Sequence, residues 1–82
     1  MQKYILCFYS TIILPVPEDA VFAIVRDSDD SPFFIEMSLI ANEDCYDVEV
    51  CENEDTVKRK LRAIFEFLDD PSRCTLDLSQ FD

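Results

Sequence analysis

The chain has 82 residues, of which 49% are hydrophobic and 12% aromatic. This is enough apolar material for one modest core, so the sequence predicts a single domain over residues 1–82 rather than a disordered chain. Seven Lys and Arg oppose 18 Asp and Glu, and the net charge of −11 excludes direct nucleic-acid binding, which needs a basic surface. The chain also has no His, the commonest general base, and no Gly, which phosphate-binding loops require.

The apolar segment near the start of the chain predicts a strand over residues 3–9, with an extension to residue 14 as the alternative. It is rich in β-branched and aromatic residues, which favour strands, and Pro15 and Pro17 end it. The same segment has the outline of a secretory signal peptide, but two prolines and two acids stand where an uncharged cleavage region belongs. It is also too short to cross a bilayer as a helix. We therefore expect a cytoplasmic protein without a membrane partner.

The next elements are three strands. The continuous apolar run 20–25 predicts a central strand covered on both faces, and 27–32 is a turn built from Asp and Ser. Apolar residues alternate over 33–41, with Phe33, Ile35, Met37 and Leu39 on one face. Residues 45–51 also alternate, and the pattern places Tyr46, Val48 and Val50 inward and Asp47 and Glu49 outward.

The hydrophobic period then changes to that of an amphipathic helix. Asn53 is a suitable N-cap, and Pro71 ends the helix. The predicted apolar stripe consists of Val57, Leu61, Ile64, Phe65 and Leu68. A short strand over 74–79 follows. The order ββββαβ predicts an α+β fold, an antiparallel sheet of four to five strands with the helix packed on one face.

Four cysteines, Cys7, Cys45, Cys51 and Cys74, permit three disulfide pairings. No Cys-x-x-Cys motif and no zinc-ligand spacing are present. We expect reduced thiols in a cytoplasmic protein.

The negative charge is concentrated in one segment, 27–55, which contains eleven acids and no Lys or Arg. The remaining seven acids are matched by the seven bases. Two interpretations remain open, a solvated face that keeps the chain soluble and a functional acidic surface.

Catalytic and metal-binding patterns are weak. The Asp-rich segment 27–30 offers oxygen ligands for Ca²⁺, but it lacks the Gly and the distal Glu of an EF-hand loop. Asp47 and Glu49 are predicted on an exposed strand face, where a carboxyl does not acquire the raised pKa of a general acid. We predict no active site, no cofactor and no metal, and thus a non-enzymatic protein.

In its size, its base-free segment 27–55 and its lack of His, Gly and catalytic motifs, the chain resembles small phage-encoded inhibitors of the anti-CRISPR and DNA-mimic class. The resemblance is compositional and involves no shared motif. It implies an acidic inhibitor whose partner is a basic nucleic-acid-binding protein, such as a CRISPR effector or a nuclease. The candidate partner-binding residues are the acids Asp27, Asp29, Asp30, Glu36, Glu43, Asp44, Asp47, Glu49 and Glu52.

Two other functions are compatible with the same acidic composition. An immunity protein or antitoxin that neutralises a basic nuclease toxin is also small and acidic. An interaction module would bind through an apolar patch or an edge strand, and a homodimer formed through an edge strand belongs to this alternative.

Overall fold

The computed structural model describes residues 2–8 and 11–81. Within these residues the elements, in chain order, are strands β1 (Lys3–Cys7), β2 (Ile12–Val16), β3 (Ala20–Val25), β4 (Phe33–Leu39) and β5 (Asp44–Cys51), helix α1 (Glu54–Asp69), strand β6 (Thr75–Asp77) and a 3₁₀ helix (Leu78–Phe81). The predicted α+β class is confirmed.

The strands form two three-stranded sheets instead of the predicted single sheet of four to five strands. The first sheet has the order β2-β1-β6, with β2 antiparallel and β6 parallel to β1. The second sheet is the antiparallel meander β3-β4-β5. Helix α1 packs against all three strands of the second sheet. The two sheets and the helix enclose one core, which contains Ile5, Ile35, Val48, Ile64, Phe67 and Leu76.

The start of the chain is a hairpin rather than one strand. Phe8 has a φ of 50°, and the backbone N–H of Thr11 donates to the carbonyl of Cys7 over 3.2 Å, which reverses the chain. Tyr9 and Ser10, which the prediction included, lie outside the described residues. Pro15 does not end a strand but lies within β2, an edge strand, the position in a sheet where proline is tolerated.

Strands β3 and β4 were both predicted, but β3 is not a central strand. It forms one edge of the second sheet, and its Val21 side chain is 48% exposed. Strand β4 ends at Leu39, two residues earlier than predicted. As predicted, Ile35 and Met37 are buried on the inner face of β4.

Helix α1 begins as the sequence predicts. The side chain of Asn53 accepts a hydrogen bond from the backbone N–H of Thr56 over 3.1 Å, and the helix ends at Asp69, before Pro71. Its buried face is rotated relative to the predicted stripe, because Phe67 and Lys60 are buried whereas Phe65 is 48% exposed.

The last strand is shorter than predicted, because Leu78 already belongs to the 3₁₀ helix. Among the described residues, no helix is both long enough and apolar enough to cross a membrane.

Candidate acidic interaction surface

Strand β5 contains a bulge that changes which side chains face the core. Ile35 is opposite Glu49 and Glu36 is opposite Asp47, so Val48 is an extra residue on β5. Val48 and Glu49 are both buried, whereas Val50 is 43% exposed. The predicted directions are therefore correct for Tyr46, Asp47 and Val48, although Tyr46, which is opposite Met37 on the inner face, is 42% exposed rather than part of the core. The outward position predicted for Glu49 is wrong, as is the core position predicted for Val50.

Glu49 is buried because it forms an ion pair with Lys60 of α1. The Oε2 atom of Glu49 and the Nζ atom of Lys60 are 3.2 Å apart, and both side chains are almost completely buried. Glu49 therefore leaves the set of candidate binding residues. Sequence reasoning missed this pair, although one signal was available: Lys60 lies between Val57 and Ile64 at core-facing helical spacing.

Cys7 lies close to this ion pair but is not a reactive thiol. Burial raises its pKa to about 11, and the negative charge of Glu49 contributes to the shift. A thiol with this pKa stays protonated at neutral pH and is a poor nucleophile. In the described part of the chain, no three His, Cys, Asp or Glu side chains are grouped as metal ligands.

The outer face of the second sheet is covered by no other strand or helix of the described chain; we call it the open face. The strand register gives it three cross-strand rows, Val21–Ser38–Cys45, Ala23–Glu36–Asp47 and Val25–Phe34–Val50. Its centre carries two carboxylates in directly opposed positions, Glu36 half-buried and Asp47 exposed. Neither carboxylate forms an ion pair within the described part of the chain.

One end of the open face carries acids whose charge is partly compensated. Asp27, Asp29 and Asp30 are exposed in the β3–β4 turn, and Glu52 follows β5 at the same end of the sheet. Arg26 folds into this turn, where its Nε atom donates to the carbonyl of Ser31 over 3.1 Å. Its guanidinium group also lies 4.3 Å from the ring centre of Phe33.

The opposite end of the sheet gathers acids from two distant parts of the sequence. Glu43, with a φ of 58°, and Asp44 lie at the β4–β5 turn. The Oδ2 atom of Asp19 accepts a hydrogen bond from the backbone N–H of Ala41 over 3.2 Å, which brings Glu18 and Asp19 to the same end. Sequence reasoning missed these two acids because they lie outside the base-free segment.

The predicted acids thus fall into three groups instead of one face. Asp47 and Glu36 occupy the centre of the open face, while the others lie at its two ends. Seven residues of β4 separate the ends by about 20 Å, at roughly 3.3 Å per residue. We call this set the acidic band; its members are Asp27, Asp29, Asp30, Glu36, Glu43, Asp44, Asp47 and Glu52, together with Glu18 and Asp19.

Comparison with known proteins gives no family assignment. No protein-family model, no curated protein and no solved structure matches the chain.

Proposed function

We propose that the chain is a non-enzymatic inhibitor whose acidic band binds the basic nucleic-acid-binding surface of a partner protein. The partner class is a CRISPR effector or a comparable nuclease, so that the chain acts as a phage-type anti-CRISPR or DNA-mimic protein. Binding would exclude nucleic acid from the surface that the band occupies.

The observation that carries this proposal is the opposition of Glu36 and Asp47 at the centre of the open face. Like charges directly opposite each other on antiparallel strands destabilise a sheet. Solubility alone does not require this arrangement, because an acid at any exposed position would serve. A basic partner, in contrast, would neutralise both carboxylates at once.

The geometry of the strands supports the same function. Outward side chains of one strand repeat about every 6.6–7 Å, and phosphates of one DNA strand follow one another about every 3.4 Å along the helix axis. Carboxylates on strands and turns can therefore occupy a subset of the positions that phosphates take in a basic groove. Long-range attraction between the band and such a groove would also accelerate the encounter.

The buried ion pair strengthens the charge argument. Because Glu49 and Lys60 neutralise each other inside the protein, the full net charge of −11 lies on the remaining side chains. The bases that remain include Lys58, which pairs with Glu54 on α1 over 3.1 Å, and Arg26, which is held in its turn. In the strand register, Arg26 lies beyond the end of β3 and thus away from the centre of the open face, and Lys58 lies on α1, which does not cover this face.

A displacement assay tests the proposal. A labelled oligonucleotide is bound to each member of a panel of purified CRISPR effectors and nuclease toxins, and the chain is titrated in at several salt concentrations. We expect competitive displacement from at least one member, weakening steeply as salt rises. Displacement from a nuclease toxin alone would favour the immunity-protein alternative. Binding that does not change with salt, or binding without displacement, would contradict the proposal.

A further inference from the structure

We propose that an apolar cleft beside one end of the acidic band, at Glu18, Asp19 and Asp44, receives one large apolar side chain from a basic segment of the partner. The cleft lies on the opposite face of the second sheet from Glu36 and Asp47. This inference rests on the proposed function, and it adds the feature that selects one basic partner among many. The cleft lies between the two sheets. Its lining consists of Leu14, Pro15 and Pro17 from β2 and the following turn, Met37 and Leu39 from β4, and Tyr46 from β5.

The size of the cleft indicates a single side chain as the occupant. Its volume is about 260 Å³, which is below the roughly 300–1,000 Å³ typical of small-molecule sites. Met37 forms a buried floor, whereas Tyr46 is 42% exposed at the mouth. A well-packed pocket of this kind, filled by one anchor residue, commonly provides much of the affinity of a protein interface.

The charges around the cleft indicate what flanks that anchor residue. Asp44 is the register partner of Leu39, so it lies on the cleft side of the sheet. Glu18 and Asp19 directly follow Pro17, and the hydrogen bond from Ala41 to Asp19 fixes this turn against the β4–β5 turn. An apolar cleft with such a rim is complementary to a Leu-like side chain flanked by Lys and Arg.

A second copy of the chain fits the cleft poorly. Two molecules would each bring a net charge of −11 to the contact, and like charges across an interface oppose association. The charge complementarity therefore favours a basic segment over a homodimer contact at this place.

Two synthetic peptides test the inference. Both consist of Lys and Arg around one central residue, which is Leu in the first peptide and Ser in the second. We expect the Leu peptide to bind about tenfold more tightly, because burying a Leu side chain is worth roughly this factor or more. Amide NMR signals of Leu39 and Tyr46 should shift with the Leu peptide at concentrations where the Ser peptide leaves them unchanged.

Two variants identify the place of binding. Tyr46→Ala should remove the preference for Leu, whereas Phe65→Ala, which truncates an equally exposed aromatic side chain on α1, should retain it. Unfolding curves of both variants establish that each one is folded.

The outcomes separate the two proposals. Equal, salt-sensitive binding of both peptides would overturn the cleft inference and leave the proposed function in place. If neither peptide binds at low salt, both the cleft inference and the proposed function are contradicted. Dimerisation of the chain that Tyr46→Ala abolishes would assign the cleft to a second copy and also overturn the inference.

Discussion

The ion pair between Glu49 and Lys60 explains why Glu49 faces the core, although alternation along β5 predicts an outward side chain. Both groups left water on folding, which is unfavourable unless each group keeps its partner. Glu49 is therefore a residue of the core and is no longer a candidate for partner binding.

We predict that Lys60→Met destabilises the protein by about 3–5 kcal/mol, because it leaves the Glu49 carboxylate buried without its ammonium partner. The double variant Glu49→Met with Lys60→Met should lose much less, because no buried charge remains. Urea unfolding of the wild type, both single variants and the double variant measures the coupling. If the free energy of unfolding lost in the double variant equals the sum of the losses in the two single variants, the ion pair is not coupled and this prediction is contradicted.

The four thiols should differ sharply in reactivity. Cys45 and Cys74 are exposed, whereas Cys7 and Cys51 are buried. Iodoacetamide at neutral pH and without reductant should modify Cys45 and Cys74 in the folded protein and all four thiols after denaturation, as peptide mapping would show. Protection of two or more thiols after denaturation would instead indicate a disulfide and contradict the expected reduced state.

Cys7 should also make the protein sensitive to alkali. In the unfolded chain the thiol has its ordinary pKa of 9.0, whereas burial in the folded chain raises the pKa to about 11. Between these values the folded state binds more protons, so the free energy of unfolding falls as pH rises, by about 1.4 kcal/mol per pH unit. Chemical unfolding from about pH 8 to pH 11 measures this slope. Cys7→Val should show a shallower slope, and an unchanged slope would show that other groups cause it.

At the scale of elements, the end of helix α1 depends on the first strand. The Nζ atom of Lys3 donates to the carbonyls of Phe67, Asp70 and Arg73 over 3.0, 2.7 and 2.6 Å. Because α1 has no basic residue in its own last turn, Lys3 supplies the positive charge that helix C-termini favour. The contact also fixes the first sheet to the helix.

We predict that Lys3→Met destabilises the protein by about 1–2 kcal/mol, a reduced value for charged hydrogen bonds at a half-buried site. Lys58→Met removes an exposed ion pair and should cost less than about 0.5 kcal/mol. Thermal unfolding compares the two variants. Equal losses would show that Lys3 contributes no more than a surface charge.

The elements also show what could be predicted from sequence. Helix α1 was predictable because its cap, its period and the following proline are local signals. The β1–β2 hairpin was not, because Pro15 stops a central strand but is compatible with an edge strand, and edge position depends on the whole sheet. The bulge at Val48 was not predictable either, because alternation predicts side-chain direction only while the register of β5 is regular.

At the scale of the whole molecule, the charge count indicated an acidic surface but not its arrangement. The exposed acids of the turns lie where the sequence suggested, since Asp-rich turns are solvated wherever they occur. The sequence did not indicate that Glu18 and Asp19 join Glu43 and Asp44, because this proximity depends on the packing of the first sheet on the second. The opposition of Glu36 and Asp47 likewise depends on the strand register that begins at the β4–β5 turn, which the sequence pattern does not give.

This opposition allows stability and binding to be separated. Asp47→Lys places a cation opposite Glu36, so the fold should become more stable by about 0.2–1 kcal/mol. The same change should weaken binding to a basic partner, because like charges then meet at the centre of the open face. Glu66→Lys is the matched control, since it makes the same change in net charge at an exposed position of α1.

The most direct test is the affinity of wild type, Asp47→Lys and Glu66→Lys for the protein from which the chain displaces oligonucleotide, measured beside their unfolding temperatures. We expect Asp47→Lys to bind at least about tenfold more weakly than wild type while unfolding at the same or a higher temperature. Glu66→Lys should bind within about twofold of wild type, as expected of a charge outside the interface. Wild-type affinity of Asp47→Lys, or equal losses in the two variants, would contradict a binding role for the open face.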